Sequence, residues 1–119
     1  MGAYEAVAMI HGKLIMQPNK VNRNARGRKI FAVIRLPEPI VEEDIDLSEP
    51  LVLYPGGIEA DEQKLLPDKT ADDSVRIRAV FDRAELLAVT PDNGDVDVIV
   101  VGRFISGLCF YGTGTVTIK

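Results

Sequence analysis

Cys109 and His11 are the only thiol and the only imidazole in the chain. A thiol attacks as its thiolate, so it needs a base or cation beside it, and His11 is the one base on offer. Cys109 sits in Leu108-Cys109-Phe110-Tyr111, an apolar, strand-like run in which a cysteine reads as a small packing residue. His11, next to Gly12, reads as a surface or turn histidine. A serine triad would need the same His11, and no nucleophile elbow surrounds Ser48, Ser74 or Ser106. Gly112-Thr113-Gly114 lacks the later glycine, the lysine and the following helix of a phosphate loop. A single cysteine makes no intrachain disulfide, and with a single histidine it makes no closed structural zinc site.

Carboxylates are the only groups dense enough to build a site. Asp92, Asn93, Asp95 and Asp97 form one cluster, and Glu42, Glu43, Asp44 and Asp46 another. Hard cations such as calcium take roughly six to eight oxygens from loops of this kind. Asp92-Asn93-Gly94-Asp95 lacks the fixed spacing of an EF-hand loop and suits a plain hairpin turn equally well. Calcium at Asp92, Asn93, Asp95 and Asp97 is therefore the one cofactor the residues offer, beside turn chemistry. A glycosidase pair has no sugar platform, because the chain holds four Phe, three Tyr and no Trp. The sequence points away from an enzyme.

Charge is unevenly spread. Residues 1–36 hold seven basic groups (Lys13, Lys20, Arg23, Arg26, Arg28, Lys29, Arg35) against Glu5 alone, a net of +6. The remainder carries −10, and the whole −4. Such a split reads first as solvated faces that fold together and cancel; beside that, Arg23, Arg26, Arg28 and Lys29 are the candidate contact with an acidic neighbour, and the split permits weak head-to-tail self-association. No aromatic lies within that cluster for a base to stack on, which argues against nucleic acid.

The elements that must position these groups are strands. Val75, Ile77, Ala79 and Phe81 alternate with Arg76 and Arg78, the pattern of a half-buried strand. Lys29 to Leu36 is apolar on both faces until Arg35 and predicts a central strand, and Val96 to Arg103 begins alternating and becomes wholly apolar, which predicts a second one whose middle is covered on both faces. Shorter candidates are Ala6 to Met16, Leu51 to Tyr54, Gly107 to Tyr111 and Thr115 to Ile118. Pro37 ends its strand at Leu36, since proline cannot donate to a ladder. Asp82 followed by Ala84-Glu85-Leu86-Leu87-Ala88 predicts one short capped helix, with Glu85 in capping-box position. Ile58 to Asp73 reads as the mobile loop. Gly102, Gly107 and Gly112 fit places that need a positive φ or a missing side chain.

At 119 residues the chain allows one domain, 1–119. The expected fold is all-β: an antiparallel immunoglobulin-like β-sandwich of about seven to nine strands with one short helix, a partly open barrel being the competitor. No apolar run reaches the ~20 residues of a membrane helix. The first residues lack the basic start and long apolar stretch of a secretory signal, so export would require a signal removed or lying upstream.

Several fragments together resemble a known repeat: Asn19-Lys20-Val21-Asn22, Gly27-Arg28-Lys29, Ile34-Arg35-Leu36-Pro37, Asp44-Ile45-Asp46, Phe81-Asp82-Arg83, and Val100-Val101-Gly102-Arg103-Phe104 with Gly107 and Phe110-Tyr111-Gly112. They are similar to an immunoglobulin-like repeat of large secreted and surface-layer-type proteins of bacteria and archaea. The chain departs from that pattern at Val21, Arg103 and Ser106, and in the Pro67 to Asp73 loop, where relatives often carry an Asp-Gly-Asp-Gly run able to hold calcium. The resemblance implies a non-catalytic spacer, display or adhesion module, extracellular or on the cell surface, that meets neighbouring protein domains. The alternative is a carbohydrate- or calcium-binding accessory module.

Overall fold

The computed structural model describes residues 9–23, 29–37, 40–66 and 75–119. They form nine strands and one short helix: β1 (Met9–Gln17), β2 (Lys20–Val21), β3 (Lys29–Leu36), β4 (Val52–Tyr54), β5 (Ile58–Glu59), β6 (Glu62–Leu65), β7 (Val75–Asp82), α1 (Arg83–Ala88), β8 (Gly94–Arg103) and β9 (Cys109–Ile118). The strands join in one strongly curled sheet of order β5-β4-β8-β9-β1-β3-β7-β6, with β2 added beside β9. The sheet is mixed rather than antiparallel, because β1 and β2 both run parallel to β9. Alternation within a strand carries no information on the direction of its neighbour, so a parallel pair was invisible in the sequence.

The curl comes from β1, which changes partner along its length. Its residues Met9 to Lys13 pair with Cys109 to Thr113 of β9, and Lys13 to Gln17 pair with Arg35 to Phe31 of β3. Gly12 lies at the changeover, opposite Gly112. A Cβ on Gly12 would stand 2.9 Å from the Arg35 carbonyl oxygen and equally near the Ile34 and Leu36 side chains. Glycine is needed there because any side chain would push β1 away from β3.

Inside the curl lies a dry apolar core. Ile30, Ala32, Ile34 and Leu36 of β3 face Val75, Ile77, Ala79 and Phe81 of β7, and Leu53, Val98, Val100, Phe110 and Val116 complete it from the other half. Each such Ile, Leu or Phe contributes about 1.5–3 kcal/mol by leaving water. The expected alternation holds for Val75, Ile77, Ala79 and Phe81, with Arg76 and Arg78 half-buried on the opposite face, where Val80 is buried as well. Asp82 caps α1 by accepting the Ala84 N–H at 2.8 Å. Ile45 is the buried anchor between exposed Asp44 and half-exposed Asp46, bridging to Phe104.

Four expectations need correction. Residues 58–66 of the expected loop build β5 and β6, because Ala60 and Asp61 donate to Leu51 and Val80 and draw the segment onto the sheet. The candidates at Gly107 to Tyr111 and Thr115 to Ile118 are one strand, β9. The middle of β8 is not covered on both faces: its outward Ile99 is 41% exposed, whereas the outward Phe31 and Val33 of β3 are half-buried. The hairpin reading of Asp92 to Asp95 fails, because Pro91 to Asn93 link α1 to β8 and Asp95 and Asp97 lie within the strand.

Substituting Gly12→Ala is expected to lower stability by about 1–3 kcal/mol, the usual cost of overpacking. Gly114→Ala, whose new Cβ would meet Leu14 at an ordinary 3.5 Å, should be near neutral. Urea melts of the two variants check this, and equal midpoints would contradict the account of β1.

Candidate functional site

The basic cluster and the acidic run named by the sequence are brought together, though not as separate sites. Arg23 reaches from just beyond β2 to the loop after α1. Its Nε donates to Asn93 Oδ1 at 2.7 Å, and its Nη atoms donate to the carbonyls of Thr90, Asp92 and Leu87. Two of those acceptors, the Thr90 and Asp92 oxygens, lie past the end of α1, and the third, the Leu87 oxygen, lies in its last turn and also accepts the Thr90 N–H. Arg23 is thus a clamp that fixes how α1 hands over to β8. Lys29 donates to Asp61 Oδ2 at 2.6 Å across the β7 edge. That hydrogen bond raises the Lys29 ammonium above its ordinary value, with the Asp61 charge adding to it. Arg26 and Arg28 lie outside the described residues.

The calcium candidates are largely occupied by protein donors. Asn93 Oδ1 serves Arg23, Asp95 Oδ1 accepts from the Thr117 hydroxyl at 2.7 Å, and Asp97 Oδ1 accepts from the Thr115 hydroxyl at 3.2 Å. Asp95 and Asp97 project from the outer face of β8 opposite those threonines of β9, while Asp92 stays in the loop. Among the described residues no three His, Cys, Asp or Glu side chains gather as a metal site. In the other acidic run, Glu42–Asp44 form a 3-10 turn in which Asp44 Oδ2 accepts the Val41 N–H at 3.0 Å. Asp46 accepts from both the hydroxyl and the N–H of Ser48, and these bonds hold its carboxyl below the ordinary range, the hydroxyl contributing most.

Cys109 and His11 both project outward, from β9 and β1. Cys109 is half-buried on that outer face rather than in the core, which Phe110 fills, because the strand register points it away. His11 is exposed and stacks on Tyr111, ring centroids 4.8 Å apart and planes 16° from parallel. Its ring is paired with an aromatic, not aimed at the thiol by any hydrogen bond described.

A different cluster emerges on the outer face of β1, β3, β7 and β6, and sequence reasoning missed it. Reading across the strands, Lys13 stands opposite Arg35 and Arg35 opposite Arg76. One row on, Ile15 stands opposite Val33, Val33 opposite Arg78, and Arg78 opposite Lys64. Neighbouring strands lie about 4.8 Å apart, so five cations form a diagonal stripe roughly 15 Å long. Arg78 is stacked over the Phe31 ring at 4.5 Å, a contact that holds its guanidinium flat on the face. Arg35 and Arg76 have interactions of their own and are half-buried, whereas Lys13, Lys64 and Ile15 are exposed. Like charges directly opposite on a sheet cost stability. The only signal in the sequence was the outward parity of Arg76 and Arg78; the register that brings Lys13, Arg35 and Lys64 beside them is tertiary.

No family model matches the chain, and no curated protein or solved structure matches it either.

Two outcomes follow from the site geometry. Arg23→Ala should destabilise the fold by about 1–3 kcal/mol, the worth of hydrogen bonds from a charged donor. Asn93→Ala should cost less, since it removes one acceptor of several. Thermal melts decide between this and a surface role for Arg23, which would leave the midpoint unmoved. Asp46, whose carboxyl is depressed, adds stability that is complete above the ordinary carboxylate range and is lost as pH falls through its lowered value. Ser48→Ala should move the Asp46 titration, followed by NMR, upward; an unmoved titration contradicts the assigned cause.

Proposed function

We propose that the chain is a non-catalytic structural or interaction module of a larger extracellular or cell-surface protein, which spaces or displays its neighbours and docks an acidic partner. The observation that carries this reading is the cationic stripe, which five residues from four strands build on an otherwise acidic molecule. Like charges aligned at a stability cost, with an exposed Ile15 among them, are the composition of a surface made to be covered. In this reading the curled sheet works as the two facing layers of an immunoglobulin-like sandwich. One layer is β1-β3-β7-β6, the other β9-β8-β4-β5, and β1 is shared between them. The resemblance of the Asp44-Ile45-Asp46, Phe81-Asp82-Arg83 and Gly102-to-Gly112 fragments to the surface-protein repeat supports the same assignment and the extracellular location. Among the described residues no helix is long and apolar enough to cross a membrane.

The groups with chemical potential have structural employment that fits this role. Arg23 clamps a loop, Lys29 joins β3 to the start of β6, and Asp95 and Asp97 tie β8 to β9. With Arg23 and Lys29 held in internal contacts, this reading places partner contact on the outer face of β1, β3, β7 and β6. The calcium- or carbohydrate-binding alternative draws less support, because three of the four calcium candidates already accept hydrogen bonds from the protein.

The test uses poly-glutamate as a stand-in for an acidic partner. The chain should bind it at low salt and lose affinity steeply as ionic strength rises toward ~0.5 M, where the screening length falls below the strand spacing. The double variant Lys13→Glu/Lys64→Glu should bind at least about tenfold more weakly, while Lys20→Glu, outside the stripe, should change little. Affinity indifferent to salt and to Lys13 and Lys64 would sink the proposal.

A further inference from the structure

Resting on the reading of the stripe as a partner surface, we infer that the partner is a second copy of this chain, whose apolar, acid-rimmed groove receives Ile15 and the cations on its side of the sheet. The groove is a hollow of about 500 Å³ beside the entrance to β1. Ile40, Phe104, Ile105 and Leu108 form its apolar lining and Glu43 and Asp44 its charged side, and no cation lines it among the described residues. Ile105 is the most exposed large apolar residue described, at 68%, and Leu108 is exposed too. The 3-10 turn holds Glu43 and Asp44 at the rim with Glu42 next to them in the same turn, all three exposed. An apolar hollow with anions at its lip is a poor surface to leave in water.

The stripe is its complement in shape of charge. Ile15 is 48% exposed and is flanked on the same face by Lys13, with Arg35 opposite Lys13, and with Arg78 and Lys64 further along its own cross-strand row. An apolar knob among cations matches an apolar hollow among anions, which supplies both attraction and register. Within one copy the groove and Ile15 stand apart. The groove opens at the β1 entrance, where Ile10 is part of the lining, and five residues of extended strand carry the chain about 17 Å from there to Ile15. The two patches are different surfaces of one molecule, so the contact is head-to-tail. Such a contact continues from copy to copy into rings or open arrays and does not stop at a symmetric pair.

Because each copy also carries a net −4, charge exchange is a sharper test than salt. One variant reverses the stripe, Lys13→Glu/Lys64→Glu, and another reverses the rim, Glu42→Lys/Glu43→Lys. All four positions are exposed, and circular dichroism melts establish that both variants fold. By sedimentation velocity the wild type should gain mass progressively with concentration. Each variant alone should be at least about tenfold weaker in association, and an equimolar mixture of the two should regain it, since each reversed stripe then faces a reversed rim. Ile15→Ser should weaken the contact without altering charge. A wild type that stays monomeric, a mass that stops at the dimer, or a mixture no better than its components overturns the inference. If in any of these cases Lys13→Glu/Lys64→Glu still loses poly-glutamate, the stripe remains a partner surface and only the identity of the partner falls; if it does not, both fall.

Discussion

The structure depends on β1 being hydrogen-bonded along both of its edges, to β9 over its first half and to β3 over its second. Lys13 belongs to both registers, and Gly12 precedes it opposite Gly112, where two backbones approach without side chains between them. Remove that shared strand and the sheet falls into two pieces, β3-β7-β6 and β9-β8-β4-β5, each with one face of exposed apolar residues. The curl that closes those faces on one another is therefore a consequence of one strand changing partner. Burial of Ile34, Leu36, Val100 and Phe110 then follows, because they line the inside of the bend.

Electrostatics is arranged around that core in two different ways. Where a charge has a nearby acceptor or donor it does structural work: Arg23 on the α1–β8 loop, Lys29 on Asp61, Asp46 on Ser48. On the outer face of β1, β3, β7 and β6 five cations are instead ranked across strands, with Glu62 of β6 on the same face beside Lys64. A sheet imposes this risk, since side chains on one face repeat at fixed spacing and cannot move apart as they would on a loop. Phe31 beneath Arg78 tempers it by offering the guanidinium the face of its ring.

Much of the secondary structure was legible because a pleated strand with one dry face writes its burial into alternate residues. Val75, Ile77, Ala79 and Phe81 were inward in the sequence and are inward in the fold. The Asp82 cap was legible because capping is local, needing only an oxygen two residues from a free N–H. The strands β5 and β6 were not, because two to four residues are too few to show a period, and they are drawn onto the sheet by distant donors and acceptors. Continuous apolar runs misled in the opposite sense: Val96 to Val101 suggested cover on both faces, yet Ile99 is open to solvent.

The sequence by itself determined which segments are extended, which faces are apolar and where the one helix starts, because those depend on residues a few positions apart. It also showed a chain divided into a basic first third and an acidic remainder. Only the tertiary structure decided what that division means. It spent Arg23 and Lys29 on internal contacts, and it assembled a cationic face from Lys13 and Arg35 of the basic part with Lys64, Arg76 and Arg78 of the acidic part. Net charge along a chain is a sum over sequence, whereas the field a partner meets is a sum over space. Strand register, fixed by long-range pairing, is what converts one into the other.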